Sequence, residues 1–307
     1  MAGAEALTAQ DDGNRMPCAC VDIGTNTTRL LVAERDGDGL RELVAVRRFL
    51  RIVPGPDGAI PDETVRRLAE LVAAHVRLAR DHGVSHVRTV ATAAIRSAPN
   101  RDELCRAVAR AAGVEVEVLS GGEEAALAFA GAIATLAEPA PQGLLGVIDI
   151  GGGSSELVTG TPEDGVGWWA SLPLGSGALT DRHVRSDPPA LDELAAVRAE
   201  IDAALESVQP PRPEAILAVG GSATSLAAAA GGELAPETIA RVLSVLIAEP
   251  AADAARRLGL PVERVRLLPA GLLALEAAWG TFGEAPLKVV HGGLREGVVL
   301  RALARHS

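Results

Sequence analysis

Short apolar runs broken by glycine-rich and polar turns open the chain. Residues 18–24 (CACVDIG) and 28–35 (TRLLVAER) flank Thr25-Asn26-Thr27 and predict a hairpin, and 42–53 (ELVAVRRFLRIV) extends it to three antiparallel strands. Pro54, Gly55, Pro56 and Gly58 then break the chain. After Asp62, read as a helix cap, Val65, Leu68, Leu71, Val72, Val76 and Ala79 recur on one helical face. A strand over 84–92 follows, then a helix from a weak capping box at Asn100 and Glu103 through Ala112. A strand over 114–120 and a helix over 123–136 complete a βββαβαβα half.

The second half repeats that opening. Strands are predicted over 143–151, 154–160 and 167–174, then a helix over 189–208, a strand over 215–221, further helices and a strand over 287–293. Laying VDIGTNTTRLLV beside IDIGGGSSELVT sets Asp22 on Asp149, Gly24 on Gly151 and Arg29 on Glu156, all at one offset of 127 (149 minus 22). A duplicated pair of α/β domains, facing each other across a cleft, is the expected architecture.

Length and composition fit that picture, since 307 residues with 48% hydrophobic content can fill two cores. The boundaries are expected at a disordered tail over 1–16, a first domain over 17–125 joined by a C-terminal helix over about 293–307, and a second domain over 126–292. The start is acidic and polar where a signal peptide is basic and then apolar, and no run of about 18 apolar residues occurs, so a cytoplasmic protein without a membrane partner is expected. Cys18, Cys20 and Cys105 form an odd set without CxxC spacing, which reads as buried thiols in a reducing compartment.

Charge narrows the chemistry further. A net charge of −11 argues against nucleic acid as a partner, so an anionic ligand would need a local set of donors. Lys288 is the only lysine and GxxxxGK[ST] does not occur, which excludes the P-loop class. The histidines lack zinc-ligand spacing, GGSAT at 220–224 lacks the last glycine of a nucleophile elbow, and Trp168 and Trp169 read as strand packing.

The two hairpins share the form apolar-Asp-x-Gly-x-x-[Ser/Thr]-[Ser/Thr]. Set in repeated βββαβα halves, they resemble the actin-like (RNase H-like) ATPase superfamily, a likeness that sets fold and not reaction. Within it, VATAAIRSAPNRDEL (90–104), VEVLSGGEEAALAFAGA (116–132), ASLPLGSGALT (170–180) and HGGLREGVVL (291–300) are similar to the Ppx/GppA family of exopolyphosphatases and guanosine pentaphosphate phosphohydrolases, in the family's order. The length resembles the family's short, two-domain form. Two departures stand out: the 51–61 turn is shorter than usual for the family, and Thr27 stands where serine is more common.

The resemblance implies phosphoanhydride hydrolysis, which needs donors for phosphate oxygens, a metal and a carboxylate to orient water. Gly151, Gly152 and Gly153, free of Cβ atoms, can turn their N–H groups onto an oxyanion, with Ser154 and Ser155 adding hydroxyls. Gly24, Thr25, Asn26 and Thr27 form the facing turn. Asp149 and Glu156 flank the glycines and can share a hydrated Mg²⁺, or Mn²⁺, with phosphate oxygens. Family likeness places the water-activating base on Glu124 and turns Arg96 toward the phosphates. Gly221 and Ser222 mark a further strand-to-helix phosphate turn, and Ser176 lies in a smaller one.

The expected reaction is removal of the terminal phosphate of inorganic polyphosphate, with guanosine pentaphosphate as the alternative substrate. A kinase of the same fold or a non-catalytic phosphate or nucleotide sensor are the weaker alternatives, and the short form leaves room for a homodimer.

Overall fold

The computed structural model describes residues 16–37, 39–136, 141–230 and 234–305. The tail expected over 1–16 therefore falls almost wholly outside the described residues, as do His306 and the end of the C-terminal helix expected over 293–307. Two five-stranded sheets carry the molecule, each with the same topology, as the duplicated hairpins predicted.

The first sheet has the order β3-β2-β1-β4-β5, from β1 Cys18–Ile23, β2 Thr27–Asp36, β3 Gly39–Phe49, β4 Val87–Ala91 and β5 Val116–Val118. Between its strands run α1 Asp62–Asp81, α2 Ala93–Arg96 and α3 Arg101–Ala112, and α4 Gly121–Ala134 follows it. The second sheet, β10-β9-β6-β7-β8, uses β6 Leu145–Ile150, β7 Ser155–Thr161, β8 Gly165–Leu172, β9 Ala215–Val219 and β10 Leu287–Val289. Its helices are α5 Ser176–His183, α6 Leu191–Leu205, α7 Gly220–Ala230, α8 Pro236–Ala248, α9 Ala251–Leu258, α10 Val262–Val265 and α11 Leu268–Thr281, and α12 Leu294–Ala304 closes the chain. Among the described residues no helix is long and apolar enough to cross a membrane.

Both faces of each sheet are covered, so β1 alternates between two cores. Ala19, Val21 and Ile23 pack with α1 and α3, while Cys18 and Cys20 turn to the opposite face with Val298, Val299 and Ala302 of α12. All three thiols are free; Cys18 and Cys20 are buried, but Cys105 is only partly so. On the second sheet Ala125, Phe129 and Ala132 of α4 cover Val147 and Val158, and the larger helical layer covers the other face.

Helices α4 and α12 meet between the sheets through glycines. A Cβ on Gly131 would overlap the Gly293 carbonyl oxygen, and one on Gly297 would overlap that of Leu127. Backbone, not flexible side chain, is the obstacle, so only glycine allows the two helices this approach.

Several predicted caps and ends differ. Pro61, not Asp62, is the N-cap of α1, and Asp62 and Glu63 lie in its first turn, where their charges suit the helix dipole. Asn100 makes no cap bond because its amide holds both the N–H (3.0 Å) and the carbonyl (2.9 Å) of Ile60. A true capping box lies at Ser120 and Glu123, so α4 begins at Gly121, two residues before the predicted start. Strand β3 stops at Phe49 because Leu50 and Ile52 donate to the carbonyls of Asn26 (3.2 Å) and Thr25 (2.7 Å) in the hairpin turn.

Candidate active site

The two hairpin turns close in the same way. Gly24 N–H donates to the Thr27 carbonyl at 3.1 Å, and 127 residues later Gly151 N–H donates to the Ser154 carbonyl at 3.0 Å. In the adjoining ladders Asp22 pairs with Arg29 and Asp149 with Glu156, so the duplicated register places a cation opposite one aspartate and a carboxylate opposite the other.

The turns touch each other as well as bordering the cleft. A Cβ on Gly152 would lie 2.6 Å from Asn26 Nδ2, and one on Gly153 would overlap Thr25 Oγ1. Gly152 and Gly153 are thus required by the close approach of the facing turn, and Gly151 by the Ser154 carbonyl of its own turn, packing reasons beyond the expected anion nest. Among the described residues the N–H groups of Thr25, Asn26, Gly152 and Gly153 donate to no protein acceptor, which leaves four donors for a ligand.

Glu296 of α12 lines the cleft, and behind the turns four further carboxylates converge on its wall: Asp22, Glu124, Asp149 and Glu156. Burial pushes all four above the ordinary carboxylate range, Asp149 to about 6. For Glu156 the next causes are the negative charges of Glu124 and Asp149, so this pair resists losing both protons. Ser171 Oγ donates to Glu156 Oε1 at 2.9 Å and steadies it. Asp22 Oδ1 is buried with no hydrogen-bond partner.

An orphaned carboxylate oxygen beside three more hard oxygen donors fits a divalent cation of the magnesium type. Among the described residues no group of three His, Cys, Asp or Glu side chains is arranged to hold a metal by itself, so water and phosphate oxygens would have to complete the coordination.

Glu124 sits in the first turn of α4, 5% exposed, and reaches the cleft. Arg96 does not line the cleft. It is the last residue of the single-turn helix α2, where a loop was expected, and its Nη1 donates to Glu124 Oε1 and to the Leu119 carbonyl (2.7 Å). Arg96 therefore contacts the glutamate, whereas the family likeness turns it toward the phosphates.

Gly24, Thr25, Asn26, Thr27, Gly151, Gly152, Gly153, Ser154 and Gly221 also line the cleft. Three predicted serines do not. Ser155 Oγ donates to the Leu174 carbonyl at 2.9 Å, facing away from the site. Ser176 donates through both N–H (2.9 Å) and Oγ (3.1 Å) to the Gly151 carbonyl, so the start of α5 braces the glycine turn and is no second anion site. Ser222 is buried inside α7, which begins at Gly220 and not after Ser222.

The cleft's cationic wall was under-read. Arg29, which the sequence only aligns with Glu156, is joined there by Arg264 and Arg295. Burial lowers Arg29 and Arg264 to about 10, which leaves both cationic at neutral pH. Arg264 stands 5.9 Å from the Phe49 ring and packs on Gly221, where a Cβ would lie 2.6 Å from its guanidinium. Nothing in ERVRLL separates Arg264 from a surface arginine; Arg295, by contrast, lies within the LREG stretch, a cue that was available.

Comparison with known proteins identifies the family. The sequence profile described as the Ppx/GppA phosphatase family matches residues 32–306. Exopolyphosphatase 2 of Mycobacterium tuberculosis is 35% identical over 74% of this chain and 74% of its own length. Exopolyphosphatase 1 of Mycobacterium leprae is 28% identical over 94% of this chain and 90% of its own. The crystal structure of the Aquifex aeolicus member of the Ppx/GppA family superposes with a TM-score of 0.78 at 26% identity, covering 95% of this chain and 99% of that one.

Proposed function

The chain belongs to the Ppx/GppA phosphatase family, and from that premise we propose that it is a cytoplasmic, magnesium-dependent exopolyphosphatase. It hydrolyses a phosphoanhydride, and the substrate we assign, by analogy with relatives named exopolyphosphatases, is inorganic polyphosphate.

One observation carries the reading: a buried glutamate that lines a cleft of unspent N–H donors and is held by the guanidinium of Arg96. Glu124 Oε1 is committed to Arg96, which leaves Oε2 to take the proton from the attacking water. Burial raises the affinity of Glu124 for that proton and so makes it a stronger base than an exposed carboxylate.

The free N–H groups of Thr25, Asn26, Gly152 and Gly153 receive phosphate oxygens, and Arg29, Arg264 and Arg295 supply positive charge along the wall. Asp149 and Glu156, with Asp22 beside them, would hold the metal, which when bound neutralises charge on the phosphate and polarises its bonds.

The test is phosphate release from polyphosphate and from guanosine pentaphosphate by wild type and Glu124→Ala. Metal-stimulated release from polyphosphate, lost in the variant, is expected. Release from guanosine pentaphosphate alone would shift the substrate, and no release from either would end the reading.

A further inference from the structure

A groove open to solvent continues from the cleft to the edge of the first sheet. Its walls share Arg29, His291 and Arg295 with the cleft, and it reaches Arg47 on β3 and Leu31 on β2. Arg29 and Arg47 are direct cross-strand partners, so Asp22, Arg29 and Arg47 form one row across three strands.

Two like charges in that relation destabilise a sheet unless something compensates them. Among the described residues no carboxylate lies within ion-pair distance of either Arg29 or Arg47, and Arg29 Nε donates only to Thr27 Oγ1 at 3.2 Å. Arg295 adds a third guanidinium close enough to lower the other two, after burial as the larger cause.

The groove's carboxylates do not cancel this charge. Glu296 is already shared between Arg295, at 3.2 Å, and the N–H of Gly293, at 2.8 Å. Glu42 lies five residues from Arg47 along β3, about 16 Å at the rise of a strand. Asp22 and Asp149 offset part of the charge of Arg29 from the cleft side, so Arg47 and Arg295, in a groove leading out of a phosphate site, are the charges left to suit an anion extended along it.

We infer that this groove is a second phosphate subsite, in which Arg47 and Arg295 hold inner phosphates of a chain whose terminal phosphate lies at Glu124. The inference rests on the exopolyphosphatase reading and adds a basis for chain length: a chain too short to reach Arg47 gains nothing from it.

The experiment compares tripolyphosphate with long-chain polyphosphate on wild type, Arg47→Gln and Arg48→Gln. Arg48 follows Arg47 on the strand and so leaves it on the other face. Phosphate release gives kcat and KM. Calorimetry in the Glu124→Gln background gives Kd without turnover.

Arg47→Gln is expected to raise KM and Kd for long chains about fivefold. It should leave kcat unchanged, keep tripolyphosphate within about twofold, and lower the slope of log Kd against log salt by about one, as for other linear polyanions. Equal shifts for both lengths, an equal effect of Arg48→Gln, or no effect of Arg47→Gln on long chains would overturn it. If wild type releases no phosphate from polyphosphate, the functional reading fails by itself and the groove is judged on Kd. Arg47-dependent binding of long chains then upholds the subsite, and its absence refutes it.

Discussion

Arg96→Gln separates two jobs that an arginine near a phosphate site can do. Its side chain is 27% exposed and that of Glu124 only 7%, so the pair interacts with little solvent screening. A cation this close lowers a carboxylate's proton affinity by about one to three pH units. Its removal should move the acid limb of kcat/KM upward by that amount, on top of the rise that burial already imposes on Glu124. Below the limb, each unit costs tenfold in active base, or about 1.4 kcal/mol. A neutral-pH loss of about 10- to 1,000-fold follows, equivalent to about 1.4–4 kcal/mol and comparable with the cost of breaking a buried pair.

The assay is kcat/KM for phosphate release from about pH 5.5 to about pH 9.5 at saturating metal. A variant acting through Glu124 recovers to within about tenfold of wild type at the alkaline end, the remainder reflecting lost orientation. If the limb stays in place and activity falls evenly at all pH values, Arg96 acts on the phosphate and the reasoning is refuted.

Other perturbations probe the remaining parts. Glu156 binds its proton more tightly folded than unfolded, so its contribution to stability is complete at low pH and is lost as pH rises from the ordinary 4.5 through its raised value. Without divalent metal, Glu156→Gln should therefore gain on wild type in Tm between about pH 5 and about pH 8, by roughly 3 °C or more; a constant difference would contradict this. Buried His75 has the opposite sense: its lowered pKa means that stability is lost as pH falls below the ordinary 6.5, a loss that His75→Gln should reduce in urea titrations. Gly131→Ala should cost about 1–3 kcal/mol in chemical denaturation despite alanine's better helix propensity, since its methyl group meets the Gly293 backbone. Gly153→Ala should lose activity through contact with Thr25 Oγ1, and adding Thr25→Ala should return part of the stability; equal melting of the single and double variants would rule out that contact.

Much of the site was legible because duplication is a linear property. The offset of 127 residues matched Asp22 with Asp149 and Gly24 with Gly151, and the folded hairpins repeat the same turn bond and the same ladder register. The glycine turns, Asp149 and Glu156 belong to those hairpins and were read from them, whereas Glu124 lies on α4 and came from the family likeness. Ser155 and Ser176 differ from the expectation because a hydroxyl beside a glycine has the same sequence signature whether it faces a ligand or a backbone carbonyl, and Ser222 because its Oγ is buried within the fold.

The sequence by itself determined the two βββαβα units, since period-two strands, period-3.6 helices and glycine turns are local consequences of side-chain shape and polarity. It also singled out the two hairpins whose turns line the cleft. Only the tertiary structure decided that Arg96 holds Glu124, that Gly152 and Gly153 make room for the facing turn, and that Arg264 joins Arg29 on one wall. Those pairs are separated by 28, more than 100 and 235 residues, and their energies come from burial and charge at short range. Such terms act only once the fold has brought the groups together.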